Sequence, residues 1–390
     1  MNAKFKIAVI GTRGFPDIQG GVEKHCESLY PLIARDGFKV MVFRRSPYLT
    51  SPHTKISIKN IEFCDLWTIK NKYLETIVHS FFASISCIFK RPDLVHIHNI
   101  GPSLVLPLLK LFRVRTVVTY HSDNYNHKKW GPLAKRVLKT GERFVGMLAD
   151  AVVVVSARQL ELFVRKTHVK NIPNGVIIRE NSILQDFLSD IGVQSGHYIL
   201  AVARFVPEKG LDLLVDAFEK IKGDLKLVIA GDADHDTDYS RELKRKIKNN
   251  PRIVGTGYIT GESLHQVFSH ARLFVLPSYH EGLPIALLEA MSYGLPVLVS
   301  NIPANKEVDL PAERFFQCGD VDDLQSGIEA LCDKAMSEDE RQHMRTVIAE
   351  KYNWNSIAEQ TISVYRAVVN DGTGRFKKTN EGKSMPDKTA

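Results

Sequence analysis

The chain has 390 residues, 44% hydrophobic and 25% charged, the make-up of a folded, water-soluble protein long enough for two hydrophobic cores. Five scattered cysteines (Cys26, Cys64, Cys87, Cys318, Cys332), odd in number and without a CxxC pair, exclude a disulfide framework or zinc ribbon and point to free thiols in a reducing compartment. The net charge of +8 hides an asymmetry: residues 1–175 hold 27 Lys and Arg against 12 Asp and Glu (+15), and the rest hold 25 against 32 (−7), so one half is built to face something anionic.

In chain order, short β-branched runs alternate with amphipathic helical stretches. The N-terminus enters a strand at "KIAVIG" (6–11) with no signal-peptide pattern before it. Gly20 and Gly21 precede a helix over Val22–Asp36, and strands follow at 39–44, 93–99, 115–122 and 151–156. The apolar stretch Thr76–Phe89 is shorter than the roughly 20 residues that span a bilayer and reads as a buried helix. Another helix covers Leu133–Leu148. The pattern restarts with strands at 197–205, 225–232, 252–259, 271–278 and 296–300, each followed by a helical stretch.

The strand segments are continuously apolar rather than alternating, as in parallel sheets covered on both faces. The expected fold is therefore α/β: two Rossmann-like, doubly wound parallel-sheet domains, residues 1–172 and 173–350, facing across a cleft. The hinge is placed in "VKNIPNGVIIRE" (169–180), whose Pro-Asn-Gly is a turn signal. Residues 351–370 form a last helix, expected to pack back on the first domain, and the polar segment 371–390 reads as a disordered tail.

Ligands of such sheets lie beyond the carboxyl ends of the strands, so the informative residues follow strands. Gly20 and Gly21 offer close backbone approach and a helix N-terminus suited to an anion, although the loop lacks a dinucleotide GxGxxG. His96 and His98 share a strand face at a spacing a metal could use. The sequence shows no third ligand, and packing with strand-end hydrogen bonds is expected of them. His121 ends the next strand. Arg204 and Lys209, a planar fork and a point charge around one loop, suit a diphosphate. The alternating acids Asp232, Asp234, Asp236 and Asp238 fail the calcium-loop pattern in both registers and read as a solvated loop that caps the helix from Tyr239. In "HEGLPIALLEAMSYG", a helix starts near Pro284 and closes at Gly294. Glu281 lies in the loop beside Gly282 and Leu283, and Glu289 lies inside the helix. A carboxylate buried there without a partner is costly, and a hydroxylated ligand would supply the missing donors.

Together, Gly20 with Gly21, His121, Arg204 with Lys209, and Glu281 with Glu289 resemble the retaining, metal-independent glycosyltransferases of family 4, which have the GT-B fold. Glu-x7-Glu is one of that family's signatures. The likeness runs from "KIAVIGTRG" to the Trp of "KYNWNSIAEQ", and "GTRGFPDIQGGVEKH" is most similar to members of bacterial polysaccharide assembly. The resemblance implies that Arg204 and Lys209 neutralise the diphosphate of a nucleotide-sugar in place of a metal. Glu289 would bind the ribose, and Glu281 with the backbone of Gly282, Leu283 and Pro284 would hold the donor sugar. Gly20 and Gly21 would approach the phosphates from the opposite domain, and His121 would contact the sugar near the reacting carbon. The family often has an acid right after this histidine; here Ser122 follows and Asp123 comes one later.

No cofactor is expected; the UDP-, GDP- or dTDP-sugar is a substrate. Around Trp130, Leu133, Val137 and Leu138, the cations Lys128, Lys129, Lys135, Arg136, Lys139 and Arg143 read as an interfacial helix on anionic lipid. A lipid-linked saccharide acceptor at the cytoplasmic face is therefore expected. No nucleic-acid motif accompanies the charge. A nucleotide-sugar 2-epimerase of the same fold and a non-catalytic partner subunit are the alternative readings.

Overall fold

The computed structural model describes residues 5–49, 57–71, 74–122, 131–163, 166, 168–334 and 336–370. Asp123, Lys128, Lys129, Trp130 and the tail 371–390 lie outside the described residues. The first sheet has seven strands: β1 (Lys6–Ile10), β2 (Lys39–Arg45), β3 (Ile61–Leu66), β4 (Leu94–His98), β5 (Thr116–Tyr120), β6 (Ala151–Val154) and β7 (Val169–Asn171). Their spatial order is β3-β2-β1-β4-β5-β6-β7, all parallel. The second has six: β8 (Tyr198–Val202), β9 (Lys226–Ala230), β10 (Ile253–Gly257), β11 (Leu273–Leu276), β12 (Val297–Ser300) and β13 (Phe315–Phe316). Their order is β10-β9-β8-β11-β12-β13, again all parallel.

The first lobe carries α1 (Gly21–Arg35), α2 (Glu75–Lys90), α3 (Leu106–Leu111) and α4 (Pro132–Leu148). The second carries α5 (Asp186–Asp190), α6 (Leu211–Lys220), α7 (Asp238–Asn249), α8 (Gly261–Ser269), α9 (Ile285–Ser292), α10 (Pro303–Lys306), α11 (Val321–Asp333) and α12 (Glu338–Lys351). The last helix, α13 (Trp354–Asn370), crosses back. Its Trp354, Ile357, Ile362 and Tyr365 share a core with Leu29, Tyr30 and Ile33 of α1 and with Ile7, Val9 and Val117. Residues of opposite strand parity, Ala8, Ile10, Val95 and Val118, face the other side, where Ala83, Cys87, Leu106 and Val145 of α2–α4 cover them. Burial on both faces explains the absence of in–out alternation in the sequence.

Three strands were not anticipated. The edge strand β3 is incompletely buried and broken by charged residues, so a search for continuous apolar runs passes over it. The short β7 occupies the stretch read as a hinge, and β13 has only two residues. The buried-helix reading of Thr76–Phe89 needs correction. Helix α2 buries His79, Ser80 and Ser84 while Ile77, Phe81, Phe82 and Phe89 are exposed.

In each sheet the winding reverses at the first strand, between β1 and β4 and between β8 and β11, which opens a crevice beyond their carboxyl ends. The two crevices face each other, and the lobes touch closely around them. A methyl group on Gly282 would sit 2.0 Å from the carbonyl oxygen of His121 in the other lobe. Gly282→Ala is therefore expected to wedge the lobes apart at a cost of about 1–3 kcal/mol. The checks are a larger radius of gyration by small-angle scattering and a lower denaturant midpoint.

Candidate active site

The second lobe supplies one wall. After β8 the chain turns through Pro207–Lys209 into α6, with Gly210 between them at φ +61°. A side chain there would stand 2.3 Å from the Pro277 carbonyl oxygen, so a left-handed glycine lets the loop press against the end of β11. That contact sets Lys209 Nζ 2.6 Å from Glu281 Oε1. Ser278 Oγ donates to the same oxygen at 2.7 Å. Glu281 lies in a loop, as expected, and is buried there and held by two donors. Pro284 caps α9, and Gly294 closes it at φ +66°, as its sequence predicts. On α9 the Glu289 carboxylate has no hydrogen bond or ion pair among the described residues. Desolvation raises its pKa, partly offset by Lys24 and Arg179.

The first lobe supplies the other wall. Gly20 adopts φ +147°, and a side chain there would meet Glu23 Oε2 at 2.0 Å. Gly21 has open space where a side chain would stand. Glu23 accepts from the Arg13 amide at 2.9 Å. The two walls are joined by a charge bridge that sequence reading did not find. Asp234 pairs with Arg204 at 2.7 Å and, through its other oxygen, with Arg13 of the first lobe at 2.8 Å. Burial alone would raise the Asp234 pKa, but Arg204 and Arg13 hold it below its ordinary value. The acid-rich loop after β9 is therefore corrected. Asp234 is a buried counter-ion, and the α7 cap is Thr237, whose side chain accepts from the Ser240 amide. Asn174, read only as part of a turn, is a buried strut: its Oδ1 meets His25 Nδ1 at 3.0 Å and its Nδ2 donates to the Leu283 carbonyl at 2.9 Å.

Behind the cleft lies a buried group of histidines. His98 Nδ1 meets His121 Nε2 at 2.9 Å, and His98 Nε2 meets the Tyr30 hydroxyl at 2.6 Å. His96 contacts Tyr365 at 2.6 Å, Tyr30 at 2.9 Å and Thr119 at 2.7 Å. The strand-end hydrogen bonds expected of His96 and His98 are present. No third ligand joins His96 and His98 as a pair among the described residues, but His98 belongs to a different group: His25, His98 and His121 bring ring nitrogens within 4.8 Å of one another. A metal there would need both nitrogens of the His98–His121 contact bare, whereas at 2.9 Å they share a proton. Burial lowers the pKa of His25 to about 4 and of His96 to about 3, and pushes His98 and His121 well below the ordinary value.

A cavity of about 310 Å³ lies between the walls, within the range of small-molecule sites. Gly20, Gly21, His121, Arg204, Lys209, Glu281, Gly282, Leu283, Pro284 and Glu289 all line it. Lys135, Arg136, Lys139 and Arg143 do not; they stand on α4, with Arg136, Lys139 and Arg143 exposed. Tyr258 and Asn174, not singled out as site residues from sequence, also line the cavity.

Residues 19–180 match Glycosyltransferase Family 4 and residues 192–354 match Glycosyl transferases group 1. The chain belongs to the group 1 glycosyltransferases. The O-antigen chain mannosyltransferase C of Escherichia coli is 29% identical over 306 residues, spanning 74% of this chain and 77% of that protein. Two solved structures share the GT-B architecture at lower identity. Sucrose-phosphate synthase of Thermosynechococcus elongatus superposes with a TM-score of 0.81 at 23% identity, covering 94% of this chain and all of that one. HepE of Anabaena in complex with UDP-glucose gives 0.75 at 18%, covering 93% and 99%.

The four histidines behind the cleft, and His79 buried by α2, are expected to make this glycosyltransferase acid-sensitive. Neutral when folded and protonated when unfolded below pH 6.5, each contributes stability above that pH that is lost as pH falls, down to about 4 for His25 and about 3 for His96. The limiting slope is about 1.4 kcal/mol per pH unit for each histidine. Urea midpoints measured from pH 7 to pH 5 are expected to fall steeply, and less steeply in His25→Asn.

Proposed function

We propose that this glycosyltransferase of glycan biosynthesis moves a hexose from a UDP-, GDP- or dTDP-sugar to a saccharide acceptor, with retention and without a metal. The observation that carries this reading is the convergence of two cations, two carboxylates and the Gly20–Gly21 turn from opposite lobes on one cavity. In the reaction the bond from the anomeric carbon to the diphosphate oxygen breaks and charge builds on the leaving phosphate. Arg204 and Lys209 are placed to stabilise that charge. The acceptor hydroxyl attacks from the same face and gives its proton to the departing phosphate oxygen. Arg204 and Lys209 are already paired with Asp234 and Glu281, so the diphosphate competes with carboxylates for them. Glu289, whose carboxylate lacks a partner among the described residues, takes the ribose hydroxyls, and His121 takes the sugar.

Lys209→Ala is expected to lower kcat roughly 100- to 1,000-fold, and Glu281→Ala to abolish transfer, both with an unchanged circular dichroism spectrum. Glu289→Gln is expected to raise the donor KM roughly 10- to 100-fold without lowering the melting temperature, because it removes a desolvated charge. Release of nucleoside diphosphate across a donor panel, with and without chelator, is the assay. Full turnover by Lys209→Ala, or strict need for a divalent ion, contradicts the reading. Isomerised donor in the absence of any acceptor would instead identify a 2-epimerase.

The acceptor is proposed to be lipid-linked and reached at the cytoplasmic face of an anionic membrane. Between Glu75 and Lys90 helix α2 has no charged residue, and its Ile77, Phe81 and Phe82 stripe is exposed, ending at Phe89 with 80% exposure. Next to it packs α3, followed by exposed Phe112, and on α3 in turn packs α4 with Arg136, Lys139 and Arg143. An apolar stripe flanked by cations fits the headgroup boundary. No described helix is long and apolar enough to cross a membrane. The protein is expected to co-sediment with phosphatidylserine vesicles at low salt. Arg136→Ala or Arg143→Ala each weakens binding about fivefold, and Phe81→Ser with Phe89→Ser weakens it in a salt-independent way. Protein left in the supernatant overturns the docking reading but not the chemistry.

A further inference from the structure

We infer that Tyr30 and His98 are positioning residues that hold His121 in its Nδ1–H form, so that the cleft receives a hydrogen-bond donor from this ring. The inference rests on the proposed site but concerns groups behind it. The contacts form one buried line: Tyr365, His96, Tyr30, His98, His121. His98, Tyr30, His96 and Tyr365 are all at most 1% exposed, so water does not complete their hydrogen bonding.

The contact lengths set the direction. His96 Nδ1 has two hydroxyl neighbours, Tyr365 at 2.6 Å and Tyr30 at 2.9 Å. The shorter contact takes the lone pair, so Tyr365 donates there and His96 Nε2–H turns to Thr119 Oγ1 at 2.7 Å. The Tyr30 hydroxyl lies nearer His98 Nε2, at 2.6 Å, than His96 Nδ1, at 2.9 Å, and its proton is assigned to His98. A neutral imidazole has one N–H. With Nε2 accepting, His98 carries its proton on Nδ1 and donates to His121 Nε2 at 2.9 Å. His121, neutral and accepting at Nε2, has only Nδ1 left for its proton. That nitrogen has no partner among the described residues, and the ring lines the cavity. The ligand atom it suits is an acceptor, such as a hydroxyl or ring oxygen of the donor sugar. Reversal of the line would present a bare lone pair instead and would favour a ligand hydroxyl as donor.

His25 does not compete for this proton. Its Nδ1–H donates to Asn174 Oδ1, which only accepts, leaving a bare Nε2 that is buried and has no partner among the described residues. The ring packs edge-on to His121, with centroids 4.8 Å apart. It therefore walls the histidine in without feeding or draining the line.

The test uses full-length protein labelled with ¹⁵N-histidine and long-range ¹H–¹⁵N correlation spectra, which distinguish the two neutral tautomers. His121, assigned by the signal lost in His121→Ala, is expected in the Nδ1–H form. Tyr30→Phe and His98→Leu are expected to shift it to Nε2–H or a mixture and to lower kcat/KM about 10- to 100-fold, the usual effect of removing a group that orients a functional histidine. His98→Gln, whose amide can still donate to Nε2, is expected to restore most of the rate. Unfolding midpoints identify any variant that fails through its fold, and the wild-type spectrum needs no variant beyond the assignment. An Nε2–H form in the wild type, or unchanged spectra and rates in both Tyr30→Phe and His98→Leu, overturns the inference. If His121→Ala turns over normally while the tautomer is as expected, the proposed sugar contact fails and the hydrogen-bond line stands.

Discussion

Charge balance inside the cleft constrains everything else in this molecule. Arg13, Arg204 and Lys209 would repel one another across a partly desolvated gap if nothing lay between them. Asp234 answers the first two and Glu281 the third. Because Asp234 joins cations from different lobes, neutralisation also holds the lobes together. A ligand entering the cleft must offer more negative charge, in better geometry, than the carboxylates it displaces. Neutral sugars cannot do this, whereas a diphosphate with several oxygens can. On the proposed reading, selectivity for a charged leaving group would be built into the resting cleft rather than added by a separate recognition element.

The fold delivers these groups by one device used twice. Each sheet reverses its winding at its first strand, so the loops after β1, β4 and β5 meet the loops after β8, β9 and β11. Small residues then set how closely the two sets approach. Gly282 lets a C-lobe loop lie against the His121 carbonyl, and Gly210 lets the Lys209 turn lie against Pro277. Asn174 ties the hinge to both sides, reaching His25 in one lobe and Leu283 in the other. The loop that carries Gly282 and Leu283 is therefore registered against the first lobe by backbone contacts and one amide side chain.

Much of this was legible in the sequence, and the exceptions share a cause. Strands such as Tyr198–Val202 and Ala151–Val154 announce themselves because burial on both faces leaves an unbroken apolar run. Edge strand β3 does not, since incomplete burial permits charged residues within it. Arg204, Lys209, Glu281 and Glu289 could be picked out because a charge next to a buried strand or within an apolar helix is costly unless something answers it. What answers it lies far away in the chain. Asp234 looked like one of four solvated acids, and nothing local marks it as the partner of Arg13, more than 200 residues earlier. Helix α2 was misjudged for a related reason: its apolar content was visible, but which face turns outward depends on His79, Ser80 and Ser84 finding places in the interior. The histidine line is likewise a product of strand pairing, which sets His98 beside Thr119 and so brings it next to His121.

The return of α13 also limits how such proteins can be recombined. Its Tyr365 hydroxyl meets His96 in the heart of the first lobe, and its Trp354 lies against Gly175 at the crossing point. A chimaera that exchanged everything after residue 180 for the corresponding half of a relative would import a foreign closing helix into the recipient's core. Specificity grafts between relatives are therefore expected to work only when the final segment stays with the parent of the N-terminal half, or when its contacts are carried across with it.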